Sequence, residues 1–315
     1  MTMQQLCLQI YLDGVWQDAM QLEFAKPDAG RFGPVKAAYN RAFTARYFQQ
    51  TAAHQVCCEW PIELLAVYRH PQWPAFLDDI MPAGAGRRLW VKELALEHLS
   101  GPEQDFQLLR HGTIAPIGHL RIKESVQFAE QQLNTSLQQL RFSAQHIIER
   151  DADFLHYARQ MGAISGGATG AGGEAPKLLI RQNLSGEVWL DPLQHNQQNP
   201  DQHFLVKYAR GQRTEIDKEI LRAEYHYYQE LHALGIHTID VQQMKLEEGT
   251  HTPSLWLPRF DRPRFESPHS AQTMDTATPC GTMQQRLAME SVYSLHNKTP
   301  AAIWIITKCC KLYCA

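Results

Sequence analysis

Short apolar segments separated by turn residues dominate the first part of the chain. Leu6, Leu8 and Ile10 alternate with other residues, as expected for one face of a β-strand. Asp13-Gly14 follows, and a second strand-like run begins at Val15. Because glycine accepts the positive φ of a tight turn, this arrangement predicts a β-hairpin.

Three further elements are predicted before residue 150. Apolar residues at helical spacing predict a helix over 87–99, and Gly101-Pro102 is expected to end it. The segment 114–122 predicts a pair of strands around Gly118. The glutamine-rich segment 124–150 contains many helix formers and is interpreted as a helical connection to the rest of the chain.

The second half of the chain predicts a hairpin, a strand with one lysine and a long helix. Apolar runs at 178–181 and 188–190 flank turn residues, and Lys207 stands among apolar neighbours in the strand-like run 203–208. The helix that follows has one apolar stripe, which is expected to face the core. This stripe consists of Ile216, Ile220, Tyr228, Leu231 and Leu234, with Glu224 on the same face.

Five of the nine residues 165–173 are glycine, a density that lets backbone N–H groups approach a phosphate closely. A flexible linker is one interpretation. A Walker A loop is excluded because the chain has no Gly-Lys-Ser or Gly-Lys-Thr sequence. Residues 170–175 match G-x-G-x-x-A, but that dinucleotide fingerprint must open a helix, whereas a strand is predicted here. A glycine loop before a strand is instead typical of the loop that covers ATP in kinases.

Glu224 lies seventeen residues after Lys207, on the stripe expected to face the core. A buried carboxylate is costly unless it is paired, and a lysine on an adjacent strand is its natural partner, as in protein kinases. The alternative is that Lys207 lies on an edge strand and Glu224 tilts toward water. The order of glycine loop, hairpin, lysine strand and glutamate helix favours the kinase interpretation. The next predicted strand ends at Pro258, where a kinase hinge would contact adenine.

Several short motifs together resemble the HipA-like serine/threonine kinases, which are the toxins of bacterial type II toxin–antitoxin pairs. In the second half of the chain they are Ala175-Pro176-Lys177, Ala223-Glu224-Tyr225 and Arg259-Phe260-Asp261-Arg262. In the first half they are residues 76–88 and 118–122, and residues 290–295 resemble the family's next helix. The resemblance extends from about residue 6 to residue 297.

This resemblance implies a site for ATP and Mg²⁺. The residues implied to cover the phosphates are Gly172, Gly173, Glu174, Ala175, Pro176 and Lys177. Lys207 would hold the α- and β-phosphates while pairing with Glu224, and the residues implied for the adenine-binding hinge are Pro258, Arg259 and Phe260. Ser165 and Thr169 are candidates for the hydroxyl that the family autophosphorylates to switch itself off. The implied partners are a small helix-turn-helix antitoxin and, in an active kinase, a protein substrate of the aminoacyl-tRNA synthetase type.

The sequence departs from the family where catalysis requires specific residues. Phosphoryl transfer in this fold needs an aspartate to orient the acceptor hydroxyl, an asparagine shortly after it, and a second aspartate on Mg²⁺. After Asp261 the chain has one aspartate, Asp275, and one asparagine, Asn297. We therefore assign no catalytic residues and no metal ligands. Residues 298–315, with three cysteines, do not resemble the family, and our hypothesis is an out-of-frame tail; the alternative is a genuine short family variant.

Composition narrows the class of protein further. Thirty basic and thirty-three acidic residues give a net charge of −3, which argues against whole-surface binding to DNA or to a membrane. The seven cysteines lack the spacing of a disulfide framework or a zinc ribbon, and the N-terminus lacks a signal-peptide pattern. These features predict a cytoplasmic protein.

Taken together, the sequence predicts an α+β fold with a β-rich N-terminal subdomain and a protein-kinase-like N-lobe, the helical catalytic lobe being largely missing. The predicted boundaries are 1–123 for the first subdomain, 124–160 for the connection, 161–297 for the kinase domain and 298–315 for the tail. The predicted function is that of a truncated, catalytically inactive HipA-like kinase. The alternative is a non-catalytic module that binds a nucleotide or an antitoxin.

Overall fold

A computed structural model of the chain describes residues 3–114, 116–132, 135–165, 176–193, 201–210, 213–262 and 286–296. Within these ranges the chain folds into two antiparallel sheets with helices packed against them, which confirms the predicted α+β class. The strands of the first sheet are β1 Gln4–Leu12, β2 Val15–Phe24, β3 Val35–Tyr39, β4 Tyr68–His70 and β5 Leu120–Ile122. Those of the second are β6 Phe142–Ser143, β7 Lys177–Gln182, β8 Glu187–Trp189, β9 Gln202–Tyr208, β10 Lys245–Glu248 and β11 Pro253–Pro258.

The helices are distributed around both sheets. In chain order they are α1 Arg41–Tyr47, α2 Phe76–Ile80, α3 Gly84–Glu93, α4 Gly101–His111, α5 Lys123–Gln132, α6 Thr135–Gln139, α7 Ala144–Ile148, α8 Ala152–Ser165, α9 Glu215–Ala233 and α10 Val292–Leu295. Two short 3-10 helices, Pro27–Phe32 and Ala52–His54, lie in the first sheet's connections.

The first sheet has the strand order β4-β3-β2-β1-β5 and contains the predicted hairpin. Strands β1 and β2 pair through the turn at Asp13 and Gly14, whose φ angles are +52° and +81°. One face of this sheet is covered by α2, α4 and α5, which contribute Leu77, Leu108 and Val126 to a single apolar core. The local hairpin signal therefore defines two of the three inner strands of this sheet.

Two predictions in this region were wrong. The segment 114–122 contributes only β5 among its described residues, and β5 pairs with β1 instead of with a strand before Gly118. Gly101-Pro102 does not end the preceding helix but begins α4, since Ser100 and Glu103 form a capping box and proline is tolerated in a first helical turn. The helix predicted over 87–99 is α3, which ends at Glu93.

The second sheet has the order β10-β11-β9-β7-β8-β6, and both of its faces are covered. Phe204 and Val206 of β9 face the core formed with α7 and α8. Leu205 faces the opposite side, where it packs in a smaller core with Leu221 of α9. The predicted hairpin is present as β7 and β8, and the predicted lysine strand is β9. Strand β6, within the segment interpreted as a connection, pairs with β8.

Helix α9 is present as predicted, but it buries a different face. Thr214 caps its first turn by accepting a hydrogen bond from the Asp217 N–H at 3.3 Å. Leu221 is buried, whereas Ile216 and Ile220 on the predicted stripe are 73% and 44% exposed. The helix thus carries two adjacent apolar stripes that meet at Tyr228. The one with Leu221 and Tyr225 faces the sheet, and Tyr228 of the predicted stripe packs there with it.

Candidate functional site

A cavity of about 290 Å³ lies where the two sheets approach each other. From the first half of the chain its wall includes Asp79, Ile80 and His119. From the second sheet it includes Lys207 and Leu205, and residues that follow β11 also line it. The cavity therefore depends on both halves of the chain, whose lining residues are more than fifty residues apart in sequence.

The register of the second sheet places a row of lysines beside a row of leucines on the cavity side. Lys207 of β9 pairs with Lys177 of β7, so the two cationic side chains are cross-strand neighbours on one face. Two residues along the same strand, Leu205 pairs with Leu179 and with Leu257 of β11. Like charges directly opposite each other are destabilising unless anionic groups compensate them. One part of the wall is therefore suited to an anion and the adjoining part to an apolar ring.

Glu224 supplies one of those anionic groups. Its carboxylate accepts a hydrogen bond from Lys207 Nζ in an ion pair whose side chains are 29% and 17% exposed, respectively. Because α9 is fixed on the sheet by Leu221, Glu224 reaches the strand beside it from the helix's third turn. This arrangement holds the lysine ammonium toward the cavity, and it agrees with the pairing predicted from the sequence.

The end of β11 forms a tightly connected corner of the cavity. The Arg259 N–H donates to the His203 carbonyl at 2.9 Å, which continues the strand pairing past Pro258. Phe260 is 46% exposed and lines the cavity. The strand ends at Pro258, as predicted.

Asp261 joins this corner to the first half of the chain. Its buried carboxylate forms an ion pair with Arg259 and accepts a hydrogen bond from the Gly118 N–H at 2.8 Å. Burial alone would raise the pKa of Asp261, but the charge and hydrogen bonds of Arg259, with the charges of Arg286 and Arg262, hold it far below its usual range. The carboxylate is therefore ionised at neutral pH and connects the two halves of the chain. We call these contacts of Asp261 with Arg259 and Gly118 the clasp.

Arginine is unusually frequent in the buried layer around this clasp. Arg121, Arg259, Arg262 and Arg286 are all less than a tenth exposed. Arg121 and Arg286 both stack on Trp16, with guanidinium carbons 4.0 and 4.8 Å from the ring centroid. Burial lowers the pKa of both guanidinium groups to about 9, so they remain charged at pH 7. Stacking on an aromatic face helps to stabilise these buried cations.

The structure brings together some of the residues predicted for a nucleotide site. Lys177, Lys207, Pro258, Arg259 and Phe260 all line the cavity, and Glu224 contacts it through Lys207. Pro176 is exposed just before β7, where its carbonyl accepts a hydrogen bond from the Tyr208 N–H. Gly172, Gly173, Glu174, Ala175 and Thr169 lie outside the described residues, and so does the side chain of Ser165, the last residue of α8. Their predicted roles stay predictions.

Sequence reasoning missed the residues that the first half of the chain contributes. Asp79 of α2 accepts a hydrogen bond from the Ser291 N–H at 2.8 Å, and burial raises the pKa of its carboxyl. His119 is 2% exposed and lines the same wall. Both residues belong to segments that resemble the HipA-like family, but no local pattern assigned either one to a ligand.

Two kinds of feature are absent from the described ranges. They contain no group of three or more His, Cys, Asp or Glu side chains arranged to hold a metal ion. Among these same residues, no helix combines the length and the apolar character needed to cross a bilayer.

The fold and the site define the class of this molecule: an α+β protein with a lysine–glutamate pair at the edge of the cavity between two sheets, which we call the cleft from here on. Residues 169–309 match the HipA-like C-terminal domain. This match confirms the resemblance to the HipA-like family that the motifs indicated. The match extends past residue 297, where we expected the resemblance to end. No curated protein matches the chain.

Proposed function

We propose that the cleft binds ATP with Mg²⁺ and that the chain is an inactive relative of the HipA-like serine/threonine protein kinases. The observation that carries the proposal is the Lys207–Glu224 ion pair, with Lys177 opposite Lys207, at the edge of the leucine row. In protein kinases a lysine held by a helix glutamate contacts the phosphates of ATP.

The composition of the cleft wall fits the parts of this ligand. The lysine row suits the phosphates, and Leu205 and Leu257 offer an apolar surface for the adenine ring. Beyond them, the carbonyl of Pro258 and the N–H of Phe260 would serve as the hinge groups that recognise the adenine edge. Bound Mg²⁺ would neutralise charge on the phosphates. In kinases an aspartate and an asparagine hold the metal ions in this position.

The absence of phosphoryl transfer is the second part of the proposal. The 315 residues contain only Asp275 and Asn297 beyond Asp261 as candidates for the two aspartates and the asparagine that transfer requires. One aspartate cannot both orient the acceptor hydroxyl and bind the metal. We expect no labelled phosphate to move from ATP to the chain or to a partner.

An antitoxin-binding module without nucleotide is the second candidate. The apolar stripe that α9 leaves exposed, with Ile216 at 73% and Leu234 at 73%, favours it because exposed apolar patches commonly mark protein contacts. Copurification with a small helix-turn-helix protein, in the absence of any effect of ATP, would support this candidate over the first.

Thermal unfolding with and without Mg-ATP tests the nucleotide proposal. Ligand at 100 times its Kd stabilises the native state by about 2.7 kcal/mol, which raises Tm by several degrees in a protein of this size. Lys207→Met should abolish the shift. Lys36→Met is the matched control, since Lys36 is also a strand lysine paired with a glutamate, at 2.8 Å, but lies in the first sheet away from the cleft.

The outcomes of this experiment separate the candidates. A shift in the wild type and in Lys36→Met, but not in Lys207→Met, supports ATP binding in the cleft. A cooperative melt that ATP leaves unchanged argues against it and favours the module without nucleotide. Transfer of labelled phosphate from ATP would refute the second part of the proposal, that the chain is catalytically inactive.

A further inference from the structure

The wall of the cleft opposite the second sheet carries hydrogen-bond acceptors that the proposed kinase-like contacts do not use. His119 is 2% exposed, and its Nε2 lies 3.2 Å from the Gln55 carbonyl oxygen. A carbonyl oxygen can only accept, so Nε2 carries the hydrogen and donates it. Among the described residues, the buried Nδ1 of His119 has no hydrogen-bond partner.

The protonation state of His119 follows from its surroundings. Burial lowers the pKa of the ring to about 4, and the positive charge of Arg286 acts in the same direction. The ring is therefore neutral at pH 7. With Nε2 protonated, Nδ1 holds a lone pair and can only accept a hydrogen bond. A buried acceptor without a partner is unfavourable, so a ligand that donates to it gains binding free energy.

Asp79 provides a second acceptor on the same wall. Ser291 donates to it from its side chain and from its N–H, the latter at 2.8 Å, whereas a carboxylate can accept about four hydrogen bonds. Its negative charge would repel phosphate groups and thus favours their placement at the lysine row across the cleft. The wall is therefore suited to a neutral group with hydrogen-bond donors.

We propose that His119 Nδ1 and the Asp79 carboxylate receive hydrogen bonds from the ribose hydroxyls of the nucleotide. This inference rests on the proposed nucleotide site, in which the adenine edge is assigned to the hinge and the phosphates to the lysines. The ribose lies between those two parts of the ligand, and its vicinal hydroxyls are the two neutral donors that match two acceptors. The first half of the chain then acts as the wall that distinguishes ribonucleotides from deoxyribonucleotides.

Calorimetric titration with Mg-ATP, Mg-2′-deoxy-ATP and Mg-3′-deoxy-ATP tests this assignment. The wild type should bind ATP about tenfold more tightly than at least one deoxy analogue, as expected for one lost hydrogen bond to a buried acceptor. His119→Gln keeps a side-chain amide that can donate to the Gln55 carbonyl but removes the Nδ1 acceptor. Its affinity for ATP should fall to that of the deoxy analogue, with the affinity for the analogue itself little changed.

Three further variants make the result specific. His119→Asn retains a polar atom near the Nδ1 position and should preserve part of the preference for ATP. Asp79→Asn should reduce the preference for ribose. Asp78→Asn is the matched control on the same helix, because Asp78 pairs with Arg31 at 2.8 Å and is not part of the cavity wall. A thermal melt of each variant without ligand verifies that it folds.

The possible results distinguish this inference from the function on which it rests. Tight ATP binding with equal affinity for the deoxy analogues in the wild type overturns the ribose assignment and leaves the nucleotide site intact. Equal discrimination by the wild type and His119→Gln also overturns the role of His119. No binding of any nucleotide by the wild type overturns both proposals.

Discussion

The clasp at Asp261 makes a quantitative prediction about how the two halves of the chain are held together. Asp261 is 0% exposed and Arg259 is 6% exposed, and the carboxylate also accepts the Gly118 N–H. Removing one partner of a buried ion pair leaves an uncompensated charge and typically costs about 3–5 kcal/mol. Asp261→Ala should reach this range, and Asp261→Asn should cost somewhat less because its amide oxygen still accepts from Gly118.

Urea unfolding at pH 7 provides the measurement, with a surface ion pair as the control. Arg46 and Asp13 lie 3.3 Å apart with side chains 61% and 59% exposed. Exposed pairs contribute at most about 1 kcal/mol, so Asp13→Asn should change the free energy of unfolding far less than Asp261→Asn does. Equal effects of the two substitutions would refute the conclusion that the buried contacts of Asp261 hold the two halves of the chain together.

The pH dependence gives an independent test of the same carboxylate. Its folded-state pKa is depressed by the arginines, so the stabilisation is present above the unfolded-state value near 4 and is lost as the pH falls. With the folded pKa far below 3, about 1.3 kcal/mol disappears between pH 7 and pH 3. The stability difference between the wild type and Asp261→Asn should narrow by that amount. A difference that stays constant over this range would mean that folding does not lower the pKa of this carboxyl group.

Two further predictions compare neighbouring or similar positions. Leu221→Ala should destabilise the protein by about 2–5 kcal/mol in urea unfolding because Leu221 is 4% exposed. Ile220→Ala, at 44% exposure, should cost less than about 1 kcal/mol. The reverse order would mean that the stripe predicted from the sequence is the buried one. Gly118→Ala should lower Tm much more than Gly186→Ala. Both glycines have positive φ, +93° and +84°, but a Cβ at 118 would lie 2.9 Å from a methionine side chain and one at 186 meets no atom within 4 Å. Equal losses in Tm would show that backbone strain alone determines the effect.

The elements that could be predicted from sequence are those whose signals are local. The turn at Asp13-Gly14 and the hairpin of β7 and β8 each depend on a few adjacent residues, and both are present. The pairing of Lys207 with Glu224 could also be inferred, because a strand followed directly by a helix limits which side chains can meet.

The parts that sequence reasoning missed depend on contacts between distant segments. On α9, two apolar stripes lie side by side, and helical periodicity alone cannot tell which faces the sheet; the sheet's leucines select the one with Leu221. Similarly, Asp79 and His119 reach the cleft only because the first sheet packs against the second. Hydrophobic spacing describes the faces of an element, but it does not specify the element that packs on it.

Alternate residues of β7 and β9 face the cleft and the core, so both surfaces depend on how these two strands are aligned. Lys177 and Lys207 lie on one face, while the intervening residues Leu178 and Val206 lie on the other, in the core with α7 and α8. Inserting or deleting one residue within either strand would exchange these faces along its length. A lysine would then face the apolar core, and a valine or a leucine would face the cleft. Changes in chain length should therefore be tolerated in the connections of this sheet and excluded from these two strands, because such a change would remove a lysine from the cleft and disrupt the core at the same time.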